Sequence, residues 1–292
     1  MSGSSLGEEL DGAARVLAAA GVRHARREVT SIWARLTGAA VGNAWISRSE
    51  EVPPDVHVAL RRAVARRARG EPLAYATELA GFRTLDVKVD RRVLIPRPET
   101  EGLVELVLAW GGEEKGPLAS WGVALDLGTG SGCVALSLAV EGRFHRVVAT
   151  DVSADALAVA RENLAQVRPP VPVELRQGSL FRPVAGELYD VIVSNPPYVT
   201  EDEFARLDTG VRNFEPPEAL VSGEDGLELT RCLVEHAGAH LAPGGLFALE
   251  VDSSRADTVL ELARVAGWRA ARLEMDVFGR ARYLLATMES NQ

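Results

Sequence analysis

The feature that most constrains the fold is an alternation of strand and helix patterns that begins near residue 121. Short apolar runs alternate there with segments of helical periodicity. The strand-like runs lie at 123–127, 147–150, 173–175, 191–193, 247–251 and 283–288. Repeated βα units predict a mainly parallel sheet with helices on both faces. A ligand in such a sheet binds beyond the carboxyl ends of the strands, where the strand order reverses.

The first 75 residues show a helical pattern instead, with apolar residues at three-to-four spacing. A third helix over 54–69 carries an arginine-rich face, which is either a solvated surface or a docking surface for an acidic or RNA-bound partner. Residues 82–95 alternate as in a β-hairpin with a turn near Asp90, and Pro117 marks a loop. The expected divisions are a helical domain over 1–75, a hairpin linker over 76–95 and an α/β domain over 96–292.

The composition is that of an ordinary globular protein, with 47% hydrophobic and 25% charged residues. No run of 18 uncharged apolar residues occurs, and the N-terminus lacks the basic stretch and apolar core of a secretory signal. We therefore expect a cytoplasmic protein without a membrane span. Cys133 and Cys232 are the only cysteines, so neither a disulfide nor a metal cluster is predicted.

Charge is unevenly distributed along the chain. Residues 1–75 hold 11 arginines against 8 acidic residues, whereas the rest holds 21 basic and 33 acidic residues. Binding to a phosphate backbone depends on cations that displace counterions. The acidic second part therefore favours a protein substrate, and direct nucleic-acid binding is not expected.

A glycine-rich turn, Asp126 to Gly132, follows the first strand of the α/β region. Glycine lets the backbone turn tightly and approach a ligand without Cβ collisions. The spacing Gly-x-Gly-x-Gly differs from the dinucleotide fingerprint, and a purely structural turn remains an alternative for this loop taken alone. Asp151, at the end of the next strand, is placed to accept hydrogen bonds from both hydroxyls of a ribose. These features predict a nucleoside cofactor and leave nicotinamide chemistry open.

The sequence Asn195-Pro196-Pro197-Tyr198 directly follows the strand at 190–194. The Asn195 side-chain oxygen and the Pro196 carbonyl can accept both hydrogens of a planar NH2 group, which makes its lone pair available to a methyl donor. The prolines stiffen the turn and remove competing donors. Tyr198 offers a ring face for stacking. An amide and the exocyclic amine of adenine both suit this motif, so it predicts methyl transfer to an NH2 group without choosing between protein and nucleic acid.

Longer motifs narrow the choice of substrate. They are Gly70-Glu71-Pro72-Leu73, Leu94-Ile95-Pro96-Arg97-Pro98-Glu99-Thr100-Glu101, the glycine turn, Asn195–Tyr198, Phe214-Glu215-Pro216 and Gly223-Glu224-Asp225-Gly226-Leu227. With these motifs the chain resembles, over almost its whole length, the HemK/PrmC family, which methylates glutamine in class I peptide chain release factors. The resemblance implies a Rossmann-like class I S-adenosylmethionine-dependent methyltransferase domain, preceded by a small N-terminal helical domain and a β-hairpin linker.

The resemblance also implies site residues. The expected contacts to S-adenosylmethionine are Gly128, Thr129, Gly130, Ser131, Gly132, Asp151, Leu180 and Asn195. The substrate glutamine of a Gly-Gly-Gln motif would be held by Asn195, Pro196, Pro197 and Tyr198, of which Asn195, Pro196 and Tyr198 are the expected catalytic residues. The chain departs from the family pattern at Ser179, Asp252 and Arg255, where Asp, Gly and Gln are usual.

The expected activity is therefore methyl transfer from S-adenosylmethionine to the side-chain amide nitrogen (N5) of a release-factor glutamine, by a monomer. Glutamine methylation of a ribosomal protein and amine methylation of adenine or guanine in nucleic acid remain alternatives. A non-enzymatic cofactor-binding module is a further alternative, which the intact motif at 195–198 disfavours.

Overall fold

The computed structural model describes residues 4–116, 119–268 and 270–287. Pro117 and Met288, predicted to lie in a loop and at the end of the last strand, fall outside these ranges. The helices are α1 (Leu6–Ala19), α2 (Ala25–Thr37), α3 (Asn43–Ile46), α4 (Pro54–Ala68), α5 (Leu73–Thr77), α6 (Pro98–Trp110), α7 (Cys133–Glu141), α8 (Ala154–Val167), α9 (Glu201–Phe204), α10 (Thr209–Arg212), α11 (Glu228–His236) and α12 (Ala256–Val265). The strands are β1 (Leu79–Phe82), β2 (Leu85–Lys88), β3 (Val123–Leu127), β4 (Arg146–Asp151), β5 (Val173–Gln177), β6 (Tyr189–Ser194), β7 (Leu241–Glu250), β8 (Ala270–Met275) and β9 (Ala281–Thr287).

The chain divides into two compact units, the first formed by Met1–Leu79 with Asp208–Phe214. The predicted helical periodicity of this part is confirmed. Ser5 begins α1 with a capping box, because its hydroxyl accepts from the Glu8 amide while the Glu8 carboxylate accepts from the Ser5 amide. Apolar faces of α1, α2 and α4 bury one core, whose members include Leu10, Ile32 and Leu60.

Two arginines of the basic face of α4 are bound within the first unit. Arg66 donates to both carboxylate oxygens of Glu71 at 2.9 and 3.0 Å, and only 3% of the Glu71 side chain is exposed. Arg67 makes a second fork to Glu28 at 2.6 and 3.1 Å. Arg61, in contrast, is exposed to solvent. The face therefore combines structural ion pairs with solvated arginines.

The second unit, Ala80–Leu207 with Glu215–Gln292, contains a seven-stranded sheet in the order β5-β4-β3-β6-β7-β9-β8. Strands β3 to β7 are parallel, and β9 runs antiparallel to β7 and β8. The central strands β3, β4 and β6 are apolar over most of their length because helices cover both faces of the sheet. Chain order reverses at β3, which pairs with β4 on one side and β6 on the other. This arrangement confirms the predicted α/β fold and locates its topological switch point.

The predicted position of the hairpin turn was wrong. The turn lies at Arg83 and Thr84, between β1 and β2, instead of near Asp90. Arg83 adopts a left-handed conformation with φ of 52°. Its guanidinium donates to both oxygens of Glu141 at 2.9 and 2.8 Å, and its amide donates to Glu101. These tertiary contacts outweigh the preference of an arginine for negative φ. Asp90 instead accepts from Arg92 in the loop that follows.

Helix α11 and strand β8 were not predicted, and β7 starts earlier than expected, at Leu241. Among the described strands, β8 pairs with β9 alone. Three of its six residues are exposed and three are half-buried, so its alternation of polar and apolar residues is weak. Within the described ranges, no helix combines the length and the apolarity that a membrane crossing would need.

Candidate active site

A cavity opens at the carboxyl ends of β3, β4 and β6, at the switch point of the sheet. It encloses about 980 Å³, including the space open to solvent. Seven of the residues predicted for the site line it together: Gly128, Gly130, Asp151, Leu180, Asn195, Pro196 and Pro197. The predictions from the β3 turn, the β4 end and the β6 end therefore converge on one space.

The glycine turn after β3 presents bare backbone to this cavity. Gly128 and Gly130 have φ values of 74° and 55°, and a Cβ added to either would meet no atom within 4 Å. Positive φ disfavours every other residue type here, and the missing side chains leave room for a ligand against the backbone. Gly132, with φ of 83°, ends the turn as the N-cap of α7.

Thr129 and Ser131 lie behind the cavity wall, where they support the turn. The Thr129 hydroxyl donates to a carboxylate oxygen of Asp126 at 2.6 Å, and the same oxygen accepts from the Ala135 amide at 3.2 Å. Burial raises the pKa of Asp126 to about 7. The Ser131 carbonyl accepts from the side chain of Asn163 at 2.8 Å. These two residues hold the shape of the turn from inside the protein.

Asp151 links the glycine turn to the end of β4. One carboxylate oxygen accepts from the Gly130 amide at 2.8 Å, and the other accepts from the Ser153 amide at 2.9 Å. Ser153 caps α8 by accepting from the Ala156 amide. Burial, and then the charge of the neighbouring Glu218, raise the pKa of Asp151. The Val152 amide also acts on this carboxylate. A carboxylate has about four acceptor sites, so Asp151 retains some capacity to accept from a ligand.

Asn195 begins the turn that follows β6. Its side-chain nitrogen donates to the hydroxyl oxygen of Thr100 at 3.0 Å. The preceding Ser194 hydroxyl donates to the Leu127 carbonyl at 2.8 Å, which ties this turn to the end of β3. Pro196 is buried and Pro197 is half-buried, and both face the cavity. The contact with Thr100 thereby engages the nitrogen end of the Asn195 amide at the edge of the cavity.

Tyr198 does not line the cavity. It is half-buried, and burial, followed by the charge of Glu250, raises the pKa of its hydroxyl. Beyond it, the Val199 amide donates to Leu220 at 2.9 Å, and the Ser222 amide donates back to Val199 at 2.9 Å. This short ladder fixes the end of the turn.

The structure adds residues to which the sequence assigned no role. The loop Arg92–Leu94 and Glu218 complete the cavity wall. Arg97 donates to Glu215 at 2.6 Å, and the other oxygen of Glu215 accepts from the Ile95 amide at 3.1 Å. The two motifs around residues 97 and 215 were visible in the sequence, but only their contact explains why both are present.

Arg255 binds the segments behind Tyr198. Its guanidinium donates to both oxygens of Glu203 at 2.8 Å and to the Asp225 carbonyl at 2.8 Å. It also pairs with Asp252 at 3.4 Å. Two residues that depart from the family pattern are thus in contact with each other.

The cavity fits an adenosyl cofactor bearing an amino acid. Open glycines leave space against the backbone, a carboxylate stands at the end of β4, and apolar side chains of Leu180 and Ala156 line the wall. A ribose needs an acceptor for its hydroxyls, and the carboxylate of Asp151 is a group at the end of β4 that can supply one.

Comparisons with known proteins agree with this geometry. The family model described as PrmC N-terminal domain matches residues 8–77, and the one described as methyltransferase small domain matches residues 117–213. The release factor glutamine methyltransferase of Moorella thermoacetica is 40% identical over 97% of this chain and 98% of its own length. That of Xylella fastidiosa is 41% identical over 82% of this chain and 85% of its own length.

A solved structure supports the fold independently of sequence. The methyltransferase from Pyrococcus furiosus matches with a TM-score of 0.51 at 23% identity, over 70% of this chain and 89% of that one. Fold and cavity together define a class I S-adenosylmethionine-dependent methyltransferase. The relatives specify it further: the chain belongs to the release factor glutamine methyltransferase (HemK/PrmC) family.

Proposed function

We propose that this protein methylates the side-chain amide nitrogen of the glutamine in the Gly-Gly-Gln motif of class I peptide chain release factors. The observation that carries the proposal is the hydrogen bond from the Asn195 side-chain nitrogen to Thr100 at 3.0 Å. With its nitrogen at Thr100, the Asn195 amide has its oxygen as the end that we propose accepts from the substrate at the end of β6. The names of the relatives supply the substrate class.

The cofactor would lie in the cavity at the switch point, with its ribose at Asp151 and its amino-acid part along Gly128 and Gly130. Thr129, Ser131 and Gly132 would shape this contact through the backbone, and Leu180 would pack against the adenine. When bound, S-adenosylmethionine supplies an electrophilic methyl group on a positively charged sulfur. Asp126 keeps the turn rigid from beneath through Thr129 and the Ala135 amide.

The residues at 195–198 would prepare the substrate nitrogen. An amide nitrogen is a weak nucleophile because its lone pair is delocalised into the carbonyl. The Asn195 oxygen and the Pro196 carbonyl accept its two hydrogens, which holds the nitrogen in place and favours a geometry in which the lone pair is available. Proline at 196 and 197 leaves no backbone N–H to compete for these acceptors. We assign the ring face of the half-buried Tyr198 to stacking on the planar amide.

The chemistry needs no general base before transfer. As the new C–N bond forms, the bond from the methyl group to the sulfur would break and leave its electron pair on the sulfur. The nitrogen would become positively charged and would then lose a proton readily to water. The contribution of the protein is therefore position and electrostatics, namely acceptors that stabilise developing positive charge on the N–H groups.

The helical unit is proposed to dock the substrate protein. Arg66 and Arg67 are engaged by Glu71 and Glu28, so docking would use exposed arginines such as Arg61. This assignment keeps residues 1–75 as the docking part, 76–95 as the linker and 96–292 as the catalytic part. We propose that the enzyme acts as a monomer in the cytoplasm, where translation termination takes place.

Mass spectrometry of a class I release factor incubated with the protein and S-adenosylmethionine tests the proposal. We expect one added methyl group on the glutamine of Gly-Gly-Gln, and none with Asn195→Ala. Asn213→Ala is a matched control that removes an exposed asparagine outside the cavity. No methylation of the release factor, with cofactor binding demonstrated by calorimetry, would refute the substrate and direct the search to ribosomal proteins and then to nucleic-acid amines.

A further inference from the structure

The orientation of the Asn195 amide decides whether the proposed chemistry works. Its oxygen must face the substrate, because the NH2 end would meet the substrate N–H groups donor to donor. The hydrogen bond to Thr100 does not settle this orientation alone. A hydroxyl both donates and accepts, so Thr100 would serve a reversed amide equally well by donating to its oxygen. The orientation of the Asn195 amide is set by the group to which the Thr100 hydroxyl donates its hydrogen bond.

An acceptor for that hydrogen lies at the end of β7. The carboxyl group of Glu250 is buried, with 1% of the residue exposed. Among the described residues, neither of its oxygens has a hydrogen-bond partner. Leu249 pairs with Ser194, so Glu250 lies at the same strand ends as Asn195, which contacts Thr100. The hydroxyl groups of Thr100 and Tyr198 favour the charged form of Glu250. Burying a carboxyl group without hydrogen bonds costs free energy, so we expect Glu250 to accept hydrogen bonds from these hydroxyl groups.

We propose that Glu250 and Thr100 form a positioning chain behind Asn195. A carboxylate accepts hydrogen bonds and donates none. When Thr100 gives its hydrogen to Glu250, the Thr100 oxygen can only accept, so the nitrogen of Asn195 must face it. The oxygen of Asn195 is then the only end of the amide left for the substrate. This inference rests on the proposed function, since it explains how the acceptor of that reaction is oriented.

The charge on Glu250 controls this chain. Arg282 stabilises the charged form, and Glu99 opposes it. The carboxyl group of Glu250 in turn raises the pKa of the Tyr198 and Tyr283 hydroxyls through its charge. Burial outweighs the favourable contacts and raises the pKa of Glu250 to about 7. A protonated Glu250 can itself donate to Thr100, which frees the amide to reverse. The positioning effect is therefore present above pH 7 and is lost as the pH falls below it.

Variants of Thr100 test the chain through turnover. Thr100→Val keeps the shape and removes the hydroxyl, so we expect kcat for release-factor methylation to fall about 10- to 100-fold. The dissociation constant of S-adenosylmethionine should stay within about 2-fold, because Thr100 does not line the cavity. Thr100→Ser restores the hydroxyl and should restore most of the rate. Ser137→Ala is the matched control, since it removes a buried hydroxyl that has no partner among the described residues. Equal kcat for Thr100→Val and wild type would overturn the proposal.

Glu250→Gln tests the source of the pH dependence. We expect the rise of kcat through pH 7 to be absent in this variant and present in Glu141→Gln, which changes a carboxylate bound by Arg83. Asp126 also has a pKa raised to about 7 and can add to the pH dependence of kcat. The effect of Glu250 is therefore read from the difference in pH dependence between Glu250→Gln and wild type. An unchanged rise in Glu250→Gln would overturn the proposal.

Nuclear magnetic resonance separates this inference from the proposed substrate. The side-chain NH2 signals of Asn195 in the whole protein should shift with a midpoint near pH 7, and should not shift in Glu250→Gln. This readout requires no methyl acceptor and no active variant. A shift without release-factor methylation would support the positioning chain and refute the substrate. Methylation without any such shift would refute the positioning chain alone.

Discussion

A Cβ atom on Gly226 would overlap the backbone carbonyl oxygen of Tyr198. Gly226 also has φ of 74°, so a side chain at this position is strained as well as crowded. The segment around residue 226 is therefore packed against the backbone of the 195–198 turn. Its glycine is required by a close approach, independently of any contact with substrate.

We expect Gly226→Ala to displace this turn. Methyl transfer should fall by at least about 10-fold, and the free energy of unfolding should fall by about 1–3 kcal/mol. Gly112→Ala is the control, because its Cβ would meet no atom within 4 Å and its φ is not positive. Single-turnover rates and thermal unfolding measure both effects. Normal turnover in Gly226→Ala would show that the turn tolerates the shift.

Asp151→Asn should weaken cofactor binding about 10- to 100-fold, because it removes a charged acceptor proposed to bind the ribose hydroxyls. Since the pKa of Asp151 is raised by burial, affinity of the wild type should decline on acidification at a higher pH than an ordinary aspartate would give. Calorimetric titration with S-adenosylmethionine at several pH values checks both points. Asp155→Asn, an exposed aspartate on the next helix, should bind normally. Unchanged affinity in Asp151→Asn would remove the ribose assignment.

The raised pKa of Asp126 predicts how the stability of the folded protein changes with pH. Its pKa lies near 7 in the folded protein against 3.8 as the ordinary value. Between these values the folded state holds a proton that the unfolded state releases, so this group loses its stabilising effect as the pH rises. Asp126→Asn is always neutral. The melting temperature of the variant relative to wild type should therefore increase from pH 5 to pH 8. A constant difference, as expected for the exposed Asp86→Asn, would contradict the assigned pKa.

Arg66→Met should destabilise the helical unit by about 3 kcal/mol, because it leaves the buried Glu71 carboxylate without its fork. Arg61→Met, on the exposed part of the same helix, should stay within about 0.5 kcal/mol of wild type. Urea unfolding followed by circular dichroism compares the two. Equal small effects would mean that Glu71 finds another partner.

The parts predicted from the sequence are those in which local pattern and tertiary structure agree. The strand, glycine turn and helix at 123–140 follow from an apolar run and residues that only a turn accommodates. The turn at Arg83 could not be predicted in this way, because contacts with Glu101 and Glu141, distant in sequence, impose its left-handed backbone. Thr100 was noticed only as part of a motif. Its contact with Asn195 joins residues 95 positions apart, which periodicity does not detect.

The antiparallel strand β9 has a consequence for protein synthesis. It lies between β7 and β8 in the sheet, although it leaves the ribosome after both of them. Until residues 281–287 emerge, β7 exposes an unpaired edge that includes Leu246 and Phe247, and β8 has no strand to pair with. Unpaired apolar edges promote aggregation of nascent chains. A premature stop codon before residue 281 should therefore yield a chaperone-bound or insoluble product, even though every residue of the cavity has already been made.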